Sequence, residues 1–131
     1  MSDVLIVDDN IDIAEPLRQI LEMEGHQVRM AGDGLEGLDS VEDAFPDIIL
    51  LDVEMPSLSG PEMAKRLQVL NTGREKIPIV LLSATRDLRS IAGRVGTPYY
   101  LEKPYSIDRF LMVFQAALND RIYPKPKEKA A

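Results

Sequence analysis

Asp8, Asp9, Asp52, Ser83 and Lys103 are the residues of this 131-residue chain whose types could do chemistry together. They fall in four short motifs: Val7-Asp8-Asp9-Asn10, Leu51-Asp52-Val53-Glu54-Met55-Pro56, Leu82-Ser83-Ala84 and Glu102-Lys103-Pro104. In each motif the polar group ends or directly follows a run rich in Val, Ile and Leu. If those runs are parallel strands, three carboxylates, a hydroxyl and an ammonium meet at one edge of one sheet. Taken singly, each has an ordinary explanation: an Asp after a strand is often a helix cap, a Ser a turn residue, a Lys a solvated charge. Their joint occurrence at equivalent strand ends calls for a chemical one.

Three carboxylates packed together repel one another, so one takes up a proton or a cation sits among them. A hard divalent cation is the better answer. Mg2+ takes oxygen ligands in an octahedron and keeps several waters, so two or three carboxylates plus a backbone carbonyl suffice. With no Cys and a single His, a soft-metal site is excluded. That His26 follows Gly25 in the turn entering the second strand candidate, a solvated or edge position. A carboxylate can attack phosphorus when Mg2+ and an ammonium offset the charge of both anions and a hydroxyl donates to a phosphoryl oxygen. Asp52 is the best nucleophile, because it ends the central and most apolar run, between the acidic pair on one side and Ser83 and Lys103 on the other. The chemistry implied is formation and hydrolysis of an aspartyl phosphate.

The elements that must position these groups are five strand candidates: Val4-Leu5-Ile6-Val7, Gln27-Val28-Arg29-Met30-Ala31, Ile48-Ile49-Leu50-Leu51, Ile79-Val80-Leu81-Leu82 and Tyr99-Tyr100-Leu101. Three are continuously apolar, the pattern of strands covered by helices on both faces. Between them lie stripes with helical spacing: Ile13, Leu17, Ile20 and Leu21; Leu35, Leu38 and Val41; Met63, Leu67 and Leu70; and Ile107, Phe110, Leu111, Phe114 and Leu118. Asp33 and Ser106 are plausible N-caps, and Pro61 suits the first turn of the third helix. Strand and helix alternate about five times, which with right-handed crossovers predicts an α/β, doubly wound parallel sheet. In such a sheet ligands bind at the carboxyl ends of the strands, where the polar groups lie.

At 45% hydrophobic and 28% charged, the chain fits one globular domain, over residues 1–121, followed by a Pro- and Lys-rich tail over 122–131 expected to be disordered. A formal charge of −7 repels phosphate backbones and anionic membranes, so no direct nucleic-acid partner is expected. The lack of Cys suits a reducing compartment. The longest apolar stretches fall short of a membrane span and the N-terminus lacks a signal-peptide pattern, so a soluble, cytoplasmic protein is expected.

With all four motifs in register, the chain resembles the receiver domain of two-component response regulators over about residues 3–120. The resemblance implies a flavodoxin-like sheet of strand order 2-1-3-4-5 with five helices. It implies Asp52 as phosphoacceptor from a histidine kinase or phosphotransfer protein, with Asp8 and Asp9 as the acidic pair serving Mg2+ and the Glu54 backbone carbonyl completing the metal site. Ser83 would be the switch hydroxyl and Lys103 the cation at the phosphoryl group. The Lys103–Pro104 bond would be cis, and Tyr100 would move inward as Ser83 is drawn toward the phosphate. Beyond this self-catalysed phosphorylation and autodephosphorylation, no enzymatic activity is implied. Output would pass through a changed surface of the fourth helix, fifth strand and fifth helix to a downstream protein, or the chain would act as a phosphate relay or sink. It would do so as a stand-alone receiver or one excised from a longer protein.

The chain also departs from that pattern. From Ser83 to Lys103 it is a couple of residues shorter than the family, and Gly93, Gly96 and Pro98 are expected to break the fourth helix and its exit, leaving it short or irregular. Pro16 should start the first helix late or bend it. Glu54 and Thr85 occupy the variable positions flanking the phosphate. Two competing classes are a phosphohydrolase with an aspartate nucleophile and a binding module that keeps the fold without using phosphate. Glu54 in place of a second Asp, Pro56 at the receiver spacing and the lack of room for a cap oppose the first; the intact acidic residues and Lys103 oppose the second.

Overall fold

The computed structural model describes residues 2–69 and 73–125. The elements follow one another as β1 (Asp3–Val7), α1 (Ile11–Met23), β2 (Gln27–Ala31), α2 (Gly34–Asp43), β3 (Ile48–Asp52), α3 (Gly60–Val69), a 3-10 turn (Arg74–Lys76), β4 (Ile79–Ser83), α4 (Leu88–Val95), β5 (Tyr99–Glu102) and α5 (Ile107–Asp120). The strands form one parallel sheet in the order β2-β1-β3-β4-β5. The doubly wound sheet and its predicted order are therefore both present.

Every residue of β3 and β4 is buried, which explains their unbroken apolar runs. Alternate residues point to opposite faces. Leu5, Val7, Ile49, Leu51, Ile79 and Leu81 pack with α2, α3 and α4, whereas Val4, Ile6, Ile48, Leu50, Val80 and Leu82 pack with α1 and α5. Two apolar layers thus clamp the central strands, and a one-residue shift in their register would swap the side chains packed in each layer. That constraint makes the carboxyl edge of the sheet a rigid platform.

Local signals in the sequence act where expected. The Asp33 side chain accepts from the Glu36 amide and the Ser106 side chain from the Arg109 amide, capping α2 and α5. Pro61 lies in the first turn of α3.

Several expectations are corrected. Helix α1 is not delayed by Pro16: it starts at Ile11, capped by Asn10, and runs through the proline. The Asn10 cap, whose side chain accepts from the Asp12 amide, supplies an entry that propensity alone would not. Helix α4 is short, with 8 residues, but Gly93 does not break it. Nothing lies within 4 Å of where a Gly93 Cβ would stand, so this glycine sits on the open side of the helix. Gly96 instead ends α4 in the left-handed region at φ 86°, with the amides of Gly96 and Thr97 both returning to the Ala92 carbonyl. Leu35 and Ile107 are exposed rather than core, while Gly34, Gly37, Ala14 and Ala117 are buried. Leu70 lies outside the described residues.

The largest correction concerns the tail. Residues 122–125 are placed against the body: the Ile122 amide donates to the Tyr99 hydroxyl, Gln68 Nε2 to the Pro124 carbonyl, and the Lys125 amide to the Gly96 carbonyl at 3.0 Å. Pro124 is buried. Arg121, in the left-handed region at φ 51°, turns the chain out of α5 toward the ends of α3 and α4. Residues 126–131 of the expected tail lie outside the described residues.

Candidate functional site: an acidic cluster at the carboxyl edge of the sheet

The end of β1 delivers Asp8, whose amide donates to the Ala31 carbonyl at the end of β2. Asp8 is 6% exposed, and its Oδ1 accepts from the Asn10 amide at 2.9 Å. That turn leaves Oδ2 free to face inward and puts Asp9 on the solvent side. Asp52 closes β3 and is 7% exposed. The carboxylates of Asp8, Asp9 and Asp52 each offer an oxygen within 4.8 Å of the others.

Ser83 closes β4, one step past the Asp52–Leu82 pairing, and is buried. Its Oγ accepts from the Thr85 amide at 3.1 Å, holding the loop that leads to α4. The Ser83 carbonyl accepts from the Lys103 amide at 2.8 Å, which ties the exit of β5 to the end of β4. From there the half-buried Lys103 side chain places Nζ 3.4 Å from Asp8 Oδ2 and 3.7 Å from Asp52 Oδ1. The distances make these ion pairs rather than strong hydrogen bonds. The Lys103–Pro104 peptide bond is cis.

One ammonium thus faces three carboxylates. Burial pushes the Asp52 carboxyl up to about 6; Lys103 opposes that rise, and Asp8 and Asp9 add to it. The cluster is short of positive charge, and its donors are all hard oxygens. Both facts fit a hard divalent cation such as Mg2+. Glu54 follows β3 with its side chain exposed, and its carbonyl lies in the same loop. Tyr100 is not in this cluster: it sits on β5 opposite Leu81 with its side chain 37% exposed.

Three residues that bear on the site escaped the sequence. Asn10 is both the cap of α1 and the donor to Asp8; an Asn just before an amphipathic run was the available signal. A Cβ on Gly60 would lie 2.3 Å from the Asp52 carbonyl oxygen, so only glycine lets the start of α3 close under the end of β3. Tyr105 stacks on Phe110 close to the cluster, and its position after Lys103-Pro104 carried no chemical cue.

A doubly wound 2-1-3-4-5 sheet with this cluster at its carboxyl edge is the architecture of a receiver domain. Residues 4–115 match the response regulator receiver domain family. The chain belongs to that family. Among its relatives, the response regulator MprA of Mycobacterium avium (strain 104) is 37% identical over 132 residues, covering 97% of this chain and 54% of that protein. The chain spans about half the length of the curated relatives it matches. Solved structures similar to it include Vibrio cholerae CheY4, at 31% identity and a TM-score of 0.79, covering 88% of this chain and 97% of that one. Another is the receiver domain of the Francisella response regulator 1452, at 29% identity and a TM-score of 0.81, covering 93% of this chain and all of that one. The chain is therefore a receiver of phosphorylation-dependent signalling, a class phosphorylated by histidine kinases and generally not enzymatic. Among the described residues no helix is long and apolar enough to cross a membrane.

Proposed function

We propose that Asp52 accepts a phosphoryl group from a histidine kinase or phosphotransfer protein, in a cytoplasmic receiver that passes the signal to a downstream protein. The observation that carries this is the Lys103 ammonium shared between Asp8 and Asp52 inside a cluster of three carboxylates. Asp8, Asp9, Asp52 and the Glu54 backbone carbonyl would hold Mg2+, which when bound offsets the charge of an incoming phosphoryl group. Asp52 Oδ attacks phosphorus, Lys103 pairs with a phosphoryl oxygen, and the Ser83 hydroxyl donates to another. The same residues serve autodephosphorylation when water takes the place of the leaving group.

The added charge and acceptor oxygens favour a state in which Ser83 gives up the Thr85 amide for the phosphoryl group. Tyr100, exposed on β5, then turns inward. The phosphate biases this equilibrium only through its different interaction with the two states, so the output is a population shift in the surface of α4, β5 and α5.

Incubation with Mg2+ and a small phosphodonor, read by intact mass, tests the assignment. A single covalent adduct on the wild type, absent from Asp52→Asn, is expected. Rapid multiple turnover of the donor would point to a phosphohydrolase, and no adduct on the wild type to a binding module that does not use phosphate.

A further inference from the structure

Tyr105 is partly buried and shares a cavity with Lys103, the cation of the acidic cluster, and none of the roles above uses it. Its ring stacks on Phe110 with centroids 6.0 Å apart and planes 26° apart, and Phe110 stacks on Phe114 at 5.9 Å. Both phenylalanines are fully buried, so the tyrosine ring is held at the end of a fixed aromatic column on α5. The stack accounts for the ring. It does not account for the hydroxyl, since Phe would pack there as well; the hydroxyl is not enclosed by the protein and stands open to solvent.

Two observations locate that hydroxyl. Tyr105 lines, with Lys103, Tyr100, Glu102, Pro104 and Arg109, a cavity of about 380 Å3 that opens beside the Lys103 side chain. Burial, and then the negative charges of Asp8 and Asp52, push its phenol up to about 12, so the hydroxyl stands within electrostatic reach of both carboxylates and keeps its proton. Among the described residues that hydroxyl has no hydrogen-bond partner. A neutral donor suits this place. A second ammonium would pair permanently with Asp8 and Asp52, whereas a phenol can donate to an arriving anion without neutralising the cluster.

We propose that Tyr105 is a further substrate-contacting residue of the phosphorylation site, its hydroxyl donating a hydrogen bond to the phosphodonor as that donor enters beside Lys103. The inference rests on Asp52 being the acceptor. With a small acyl phosphate, the Asp52 Oδ–P bond forms as the P–O bond to the acyl group breaks. The leaving carboxylate takes the electron pair, and Tyr105 keeps its proton throughout. The hydrogen bond strengthens as charge develops on the oxygen it meets, so it acts on the rate of transfer more than on capture of the donor. Arg109, on the same cavity, favours an anionic donor, and the exposed Glu102 opposes it from the rim.

The test is Tyr105→Phe in the full chain, which deletes the hydroxyl and leaves the aromatic column. Adduct formation on Asp52 is followed against acetyl phosphate concentration in saturating Mg2+, with the urea midpoint measured in parallel. The maximal rate should fall about 3- to 10-fold, the worth of one hydrogen bond, with the half-saturating donor concentration and the urea midpoint unchanged. An unchanged maximal rate overturns the inference. So does a fall matched by a lower urea midpoint, which would mark a structural role. A wild-type chain that forms no adduct would instead overturn the assignment of Asp52, so the two failures are distinguishable.

Discussion

Gly60 stands so close to Asp52 that a Cβ on it would lie 2.3 Å from the Asp52 carbonyl oxygen and 3.1 Å from the Val53 Cα. The approach is sealed by the Gly60 amide donating to the Val53 carbonyl at 2.9 Å. Both neighbours are backbone atoms of β3 and the loop after it, so neither can turn aside. Gly60→Ala is therefore expected to cost about 2 kcal/mol or more by overpacking, seen as a lower urea midpoint. It should also slow adduct formation, because relief of the clash displaces Asp52. A variant with wild-type stability and rate would show that the start of α3 can move freely.

The charge on Asp52 works against the fold when no cation is bound. Its folded pKa is about 6, against an ordinary value of 3.8. Between those values the folded chain holds the proton more tightly than the unfolded chain, so stability falls as pH rises through that window. Above about pH 6 the cost is fully present. In metal-free buffer at pH 7, Asp52→Asn should melt roughly 2–4 °C above the wild type, solvent screening keeping the effect small. The gap should close below about pH 4. Mg2+ should raise the melting temperature of the wild type and have far less effect on Asp8→Asn or Asp52→Asn. Equal Mg2+ shifts in all three would place the cation elsewhere.

Glu54 projects an exposed carboxylate from the loop that follows β3. A negative side chain there repels hydroxide and can orient or block the attacking water. Glu54→Ala should change the lifetime of the Asp52 adduct, by about 2- to 10-fold if one water contact is involved. Decay of the adduct after removal of the donor measures it. An unchanged decay rate would remove Glu54 from dephosphorylation.

The segment that follows α5 should contribute to stability. Truncation after Arg121 removes the buried Pro124, the Lys125 bond to the Gly96 carbonyl and the Gln68 contact. A loss of about 1–3 kcal/mol is expected from one buried apolar side chain and three hydrogen bonds, two of them long at 3.4 Å, read from urea unfolding. Hydrogen exchange should rise at Gly96 and Thr97, whose amides close the end of α4. A truncated chain with the wild-type midpoint and exchange would show the contact to be energetically idle.

Much of the site is legible in the sequence, because its parts are marked by short-range contrast. Asp8, Asp52 and Ser83 stand out as polar residues ending Val-, Ile- and Leu-rich runs, the pattern of strands buried on both faces. Asp33 and Ser106 cap helices through bonds to amides three residues on, a distance the local sequence encodes. Pro16 and Gly93 mislead for the same reason. Their intrinsic preferences argue against helix, but the packing of Leu17 and Leu21 in one helix and Leu88, Ala92 and Val95 in the other outweighs them.

Local pattern thus specifies the strands and helices, the acidic, hydroxyl and ammonium groups, and the edge of the sheet at which they gather. How those groups meet is a matter of tertiary packing. Lys103 reaches Asp8 across 95 residues because β1, β3, β4 and β5 pair in one register. Tyr105 is brought beside the cluster by an aromatic column on α5, and Pro124 is buried against residues from α3 and the end of α4. Composition reports what a segment prefers in water. Whether a polar, proline-rich stretch stays there depends on the groove that a distant part of the chain offers it.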